Sequence, residues 1–332
     1  MQRIKNEIEE EDPEPRDYVI TKLPLKRNEE GENEACLLNL KSSNHTGKAV
    51  LYIHGFTDYF FQDHMARCFI AKGYDFYALE LRRYGRALTP QQRPNYTKNI
   101  NEYYEEIELA LKIIREKDKH SFVVLCGHST GGLISSLFVN DKGKECGINA
   151  LILNSPFFEF NASWLLRRFG YVLEGLGHIF PHIKLFLDKK GGMAYRQSLH
   201  QDHKGEWNYD QTYKPYEGFP LYAGWVTAMS RAHRRVHKGL NIPCPVLLLH
   251  SDKSSRHSKW DEEIMLTDVV LDVEDMKEHA HNLGKNVCTV EIQGGMHDLS
   301  LSKQLIRENF FSSIFNWLVE IEKDLDIDTR AL

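Results

Sequence analysis

The chain is 332 residues long, enough for one large α/β domain with insertions or for two modest domains. Its 42% hydrophobic and 27% charged residues are the ordinary balance of a soluble globular protein. A formal charge of −5 at pH 7 gives no electrostatic footing for nucleic acid or an anionic membrane as a partner.

The first residues, MQRIKNEIEEE, lack the apolar core of a signal peptide, and the acidic stretch 6–17 reads as a solvated lead-in. YVITKLPL and ACLLNL follow as two opening strands, spaced closely enough for an antiparallel start. KAVLYIHG is a strand that ends at His54–Gly55. QDHMARCFIAKG is an amphipathic helix stopped by Gly73. YDFYALEL is the next strand. In NEYYEEIELALKIIREK, Ile107, Leu111 and Ile114 recur at helical spacing, with Glu108 four residues before Lys112. SFVVLCG is a strand, STGGLISSLFVND a helix, and NALILNSP a further strand. From Pro156 to about Asn241 no apolar strand occurs. Aromatics accumulate there instead, among them Tyr195, Trp207, Tyr213, Phe219, Tyr222 and Trp225, and SWLLRRFGYVLEGLGHIF reads as helical. The alternation resumes with the strand CPVLLLHS, the helix VEDMKEHAHNLG, the strand NVCTVEIQGG and a last helix from Leu301. Ile306, Phe310, Ile314, Trp317 and Ile321 share one face of that helix.

Near-continuous apolar strands alternating with helices predict an α/β fold: a mostly parallel sheet with helices on both faces. The expected organisation is a core in two parts, 1–155 and 242–332, with 156–241 as a lid inserted over the sheet. No apolar run approaches the ~18 residues a membrane helix needs. Six scattered cysteines without a C-x-x-C pair read as reduced thiols of a cytoplasmic protein.

Three pieces carry the chemistry. Gly127-His-Ser129-Thr-Gly131 follows a strand and opens a helix, the setting in which a G-x-S-x-G turn lifts a serine hydroxyl above a sheet. A serine needs a base to take its proton. Among 16 histidines, His297 lies between the last strand and the last helix, at the sheet edge where the serine turn opens. His279 and His281 are two residues apart on a helix, so they face apart and do not form a metal pair. The acid that would orient the base should follow the strand VLLLHS. Asp268 fits, because a turn and a helix follow it, and Asp252, directly after the strand, competes for the role. The backbone N–H groups of Phe56 and Thr130 are the expected oxyanion donors. This chemistry calls for no cofactor and no metal.

HGFTDYF, GHSTGG, TDVVLDVEDM and GGMHDL together resemble the α/β-hydrolase superfamily, in particular its monoacylglycerol lipase, lysophospholipase and serine aminopeptidase-like branch. The resemblance covers roughly residues 35–155 and 242–322. It implies an eight-stranded sheet with one antiparallel strand, a helical lid after the sixth strand, and hydrolysis of small-molecule carboxylic esters through an acyl-enzyme on Ser129, His297 and Asp268. The stretch before Asp268 is longer than the short loop usual in the family. Acyl transfer, amide cleavage and non-catalytic ligand binding use the same scaffold. The aromatic lid suits an apolar acyl chain. Arg231, Arg234 and Arg235 are candidates to meet a phosphate or carboxylate, or to form a solvated face.

Overall fold

A computed structural model of the chain describes residues 17–44, 46–161, 177–185, 190–257 and 259–330. The acidic lead-in up to residue 16 lies outside the described residues. So do Trp164, Phe169, Tyr171, Phe186 and most of the stretch read as helical from Ser163.

Apolar side chains on alternate positions of each strand force a sheet with two buried faces. In β3 (Lys48–Ile53), Leu51 and Ile53 enter one core while Val50 and Tyr52 enter the other. The sheet has eight strands: β1 (Val19–Asn28), β2 (Gly31–Leu40), β3, β4 (Tyr74–Glu80), β5 (Phe122–His128), β6 (Ala150–Asn154), β9 (Val246–Ser251) and β10 (Val287–Ile292). Their spatial order is β1-β2-β4-β3-β5-β6-β9-β10. β2 runs antiparallel to both its neighbours, and β3, β4, β5, β6, β9 and β10 are mutually parallel. The fold is therefore the α/β-hydrolase sheet with a single antiparallel strand.

Helices cover both faces. On one face lie α2 (Tyr104–Lys112), α3 (Thr130–Lys142), α5 (Ala223–Lys238) and α6 (Val273–Ala280). On the other lie α1 (Asp63–Ala71) and α7 (Gln304–Arg330), the latter burying Phe310, Ile314 and Ile321 as its spacing predicts. Gly73 ends α1 with φ +81, a conformation that favours glycine. Glu108 does not reach along its own helix to Lys112. It forms an ion pair with Lys142 on α3, because the two helices pack side by side.

The segment between β6 and β9 carries two two-residue strands, β7 (Lys184–Leu185) and β8 (Leu221–Tyr222), the helix α4 (Lys190–Gln197) and the helix α5. Tyr195, Leu199 and Tyr209 of this segment form a third apolar cluster with Tyr59, Ile264 and Met296 of the core. No helix among the described residues is long and apolar enough to cross a membrane. None of the six cysteines is disulfide-bonded.

Candidate active site

Ser129 sits between β5 and α3 with φ 52 and ψ −116, a backbone geometry that non-glycine residues rarely adopt. The flanking glycines make it possible. A Cβ on Gly127 would stand 2.6 Å from the Gly131 carbonyl oxygen, and one on Gly131 would run into the carbonyl oxygens of Ile53 and His54. The strand end, the turn and the start of α3 thus close on one another with no room for side chains. The hydroxyl stands above the C-terminal ends of the parallel strands.

Three predicted side chains meet there. Ser129 Oγ is 3.0 Å from His297 Nε2, and His297 Nδ1 is 2.8 Å from Asp268 Oδ2. All three are buried or nearly so. The other oxygen of Asp268 accepts the N–H groups of Val270 and Leu271, each at 2.8 Å, which fixes the carboxylate in the turn before α6. Asp268 can only accept from Nδ1, so the imidazole carries its proton on Nδ1 and leaves Nε2 to accept from the serine.

Asp252 has a different task. Its Oδ1 accepts the N–H of Gly294 at 2.7 Å, tying the end of β9 to the loop that carries His297. The residues from Lys253 to Thr267 form an excursion closed at its neck: Asp268 N–H donates to the Lys253 carbonyl and Ser255 N–H to the Asp268 carbonyl. The insertion is long in sequence but short in space, and Asp268 emerges where a short loop would have delivered it.

The loop that carries Phe56 is held by His54. Its Nδ1 lies 2.8 Å from the Gly55 carbonyl, and its Nε2 accepts the Leu81 N–H at 3.1 Å. This pins the backbone that leads into Phe56. Among the described residues, the N–H groups of Phe56 and Thr130 meet no protein acceptor. Gly55 lets this loop approach the turn that carries Ser129, since a Cβ there would stand 3.2 Å from Ser129 Cβ.

The loop after His297 is anchored by Asp298, which sequence reasoning did not single out. Its buried carboxylate accepts from Asn154 Nδ2 at 2.8 Å, from the backbone N–H of Ser300 at 3.0 Å and from the Ser300 hydroxyl at 2.7 Å. Burial alone would raise this carboxyl. His128, Lys214 and the Ser300 and Asn154 hydrogen bonds outweigh it and hold the pKa at about 2. The ligand atoms of Asp58, His128 and Asp298 lie within 4.8 Å of one another, the spacing of a metal site. The Lys214 ammonium, 2.5 Å from Asp58 Oδ1, already supplies a cation there, so the group fits a closed ionic network better than a coordination site.

Over Ser129 and His297 lies a cavity of about 270 Å³. The core contributes Phe56 and Val270 to its walls, and the insertion contributes Leu185, Tyr195, Phe219 and Leu221. Lys214, Arg196, Asp58 and Glu217 are its charged lining. None of Arg231, Arg234 and Arg235 lines it, and Arg235 pairs with Asp141 on α3. Sequence patterning could not find Arg196 or Lys214, since neither belongs to a motif and only the fold of the insertion turns them inward.

The family model for serine aminopeptidase, S33, matches residues 44–301. No curated protein matches the sequence. Among solved structures, the chain is similar to a soluble variant of monoglyceride lipase from Saccharomyces cerevisiae in complex with a substrate analogue (TM-score 0.66, 17% identity, 91% of this chain and 95% of that one). It is similar to a carboxyl esterase from Bacillus coagulans in complex with glycerol (TM-score 0.66, 15% identity, 91% and 99%). It is also similar to a monoacylglycerol lipase from Paleococcus ferrophilus (TM-score 0.62, 18% identity, 86% and 99%). At these identities the likeness speaks to the fold.

Proposed function

The chain belongs to the serine aminopeptidase S33 family of α/β-hydrolases, and from that premise we propose that it is a serine hydrolase cleaving small carboxylic esters, as monoacylglycerol lipases and lysophospholipases do. The observation that carries the proposal is the unbroken hydrogen-bond chain Ser129–His297–Asp268 at the floor of a half-apolar cavity.

In this reading Ser129 Oγ attacks the ester carbonyl carbon while His297 Nε2 takes the hydroxyl proton. Asp268 keeps the imidazole in the productive tautomer and stabilises the imidazolium without taking its proton. The carbonyl oxygen becomes an oxyanion facing the N–H groups of Phe56 and Thr130, each such donor contributing about 3 kcal/mol to the transition state. Collapse breaks the bond to the alcohol oxygen, and His297 returns the proton to it. Water, activated by the same imidazole, then attacks the acyl-enzyme and releases the acid. Every group needed is a side chain or backbone N–H of this chain.

The segment 156–241 acts as a cap in this account, because its residues supply much of the cavity wall, and the apolar part of that wall suits an acyl chain. Six unpaired thiols are consistent with a cytoplasmic protein.

A panel of 4-nitrophenyl esters of increasing acyl length tests the proposal. Turnover is expected in the wild type, with a loss on the order of 10⁶-fold in kcat for Ser129→Ala. Wild-type rates in Ser129→Ala would remove the mechanism. The family's description names an aminopeptidase, so aminoacyl 4-nitroanilides belong in the same panel. A higher kcat/KM for the anilides than for the esters would move the assignment to amide cleavage.

A further inference from the structure

The insertion brings two cations to the cavity above Ser129, and they are not equivalent. Lys214 is buried, its ammonium stands on Asp58, and it lies over the rings of Phe61 and Tyr209. Its charge is matched by a carboxylate on the same wall. Arg196, at the end of α4, is held by backbone alone. Its Nε donates to the Tyr216 carbonyl, and its guanidinium packs against Gly218, where an added Cβ would stand 3.2 Å from Cζ and both terminal nitrogens. Gly218 has φ +68, so both its conformation and its missing side chain suit this approach.

These contacts fix the plane of the guanidinium. They leave its two terminal nitrogens without a hydrogen-bond acceptor among the described residues; Glu217 lines the same cavity and acts on the guanidinium through space, but no carboxylate oxygen among the described residues stands at ion-pair distance from it. Burial pushes the guanidinium below its ordinary pKa, and Tyr209, Tyr216 and Glu217 offset only part of that. A guanidinium held in place, partly desolvated and with donors to spare is costly unless an anion completes it. Its planar fork matches a carboxylate or a phosphate through two parallel hydrogen bonds.

We propose that Arg196 is the specificity-determining residue of this cavity, and that the preferred substrates are esters carrying a carboxylate or phosphate group. The proposal rests on the ester-hydrolase reading of Ser129. The apolar wall of Phe56, Phe219 and Leu221 then holds the spacer between the scissile ester and the anion.

The test compares wild type, Arg196→Gln and Arg196→Lys on two matched pairs. The first sets 4-nitrophenyl hydrogen glutarate against 4-nitrophenyl valerate, with the anion on the acyl side. The second sets butyryl glycerophosphate against monobutyrylglycerol, with the anion on the alcohol side. The readout is the ratio of kcat/KM within each pair, so a general change in activity cancels. In the wild type the anionic member of one pair is expected to win by about 10-fold or more, the worth of a charge-assisted hydrogen bond. That ratio should collapse toward one in Arg196→Gln, mainly through KM, and survive in part in Arg196→Lys. A wild-type ratio near one in both pairs, or a preference that persists in Arg196→Gln, would overturn the proposal. Fluorophosphonate labelling of Ser129 accompanies each variant. Labelling with neutral-ester turnover and no anion preference would overturn this inference alone. No labelling and no ester turnover in the wild type would overturn the ester-hydrolase reading with it.

Discussion

His54 shows how one side chain sets both geometry and pH response. The Leu81 N–H can only donate, so His54 Nε2 must accept, and the ring proton sits on Nδ1 facing the Gly55 carbonyl. A second proton on Nε2 would confront the Leu81 donor. Burial in this setting lowers the pKa from 6.5 to about 4. Between those values the unfolded chain binds a proton that the folded chain refuses, so stability falls as pH falls, by up to about 3 kcal/mol. Asp298 acts with the same sign lower down. Its folded carboxyl sits at about 2 against an ordinary 3.8, so its contribution is present above about pH 4 and is lost as pH falls toward 2. Denaturant unfolding at pH 7, 5 and 3.5 checks this. The stability advantage of wild type over His54→Gln should shrink from pH 7 to pH 5, while its advantage over Asp298→Asn should hold to pH 5 and then shrink. An advantage over His54→Gln that does not change between pH 7 and pH 5 would contradict the assigned tautomer.

At the scale of elements, two acids that look interchangeable in sequence have separate places. Asp268 holds the Nδ1 proton of His297, and Asp252 holds the loop on which His297 rides. Asp268→Asn is therefore expected to cut kcat by about 10⁴-fold with little loss of stability. Asp252→Asn should lower kcat far less and act mainly by loosening the loop. Steady-state kinetics beside thermal unfolding separates the two, and equal losses in kcat would contradict the division of roles. The sequence pointed to Asp268 through the turn and helix that follow it. It did not reveal why a long excursion is tolerated, because the neck pairing of Lys253 and Ser255 with Asp268 is made by backbone groups and has no residue signature. The insertion is joined to the core by an element-scale bond of the same hidden kind. Lys214 and Asp58 are 156 residues apart, both buried, and only the folded chain brings them together. Lys214→Met leaves the Asp58 charge buried without its partner and is expected to cost about 3–5 kcal/mol. Adding Asp58→Asn should recover part of that in thermal unfolding. No recovery would mean that Lys214 acts through packing on Phe61 and Tyr209 alone.

Across the whole molecule, what could be read from the sequence was what repeats. Alternating apolar strands and helices gave a parallel sheet with its layers, and the glycine-flanked serine marked where the sheet turns outward, because only small residues fit between Ile53, Gly127 and Gly131. The cavity was not readable in the same way. Most of its charged lining comes from an insertion without periodicity, where Arg196 and Lys214 are told apart from Arg231, Arg234 and Arg235 only by the path of the chain. The proposed mechanism stands on Ser129 being an activated nucleophile through His297 and Asp268. The most direct measurement is fluorophosphonate treatment of the pure protein with peptide mass spectrometry of the adduct, on wild type, Ser129→Ala and Asp268→Asn. A single adduct on Ser129 is expected, absent from Ser129→Ala and formed far more slowly in Asp268→Asn. An adduct on another residue, or none on folded wild-type protein, would contradict the mechanism.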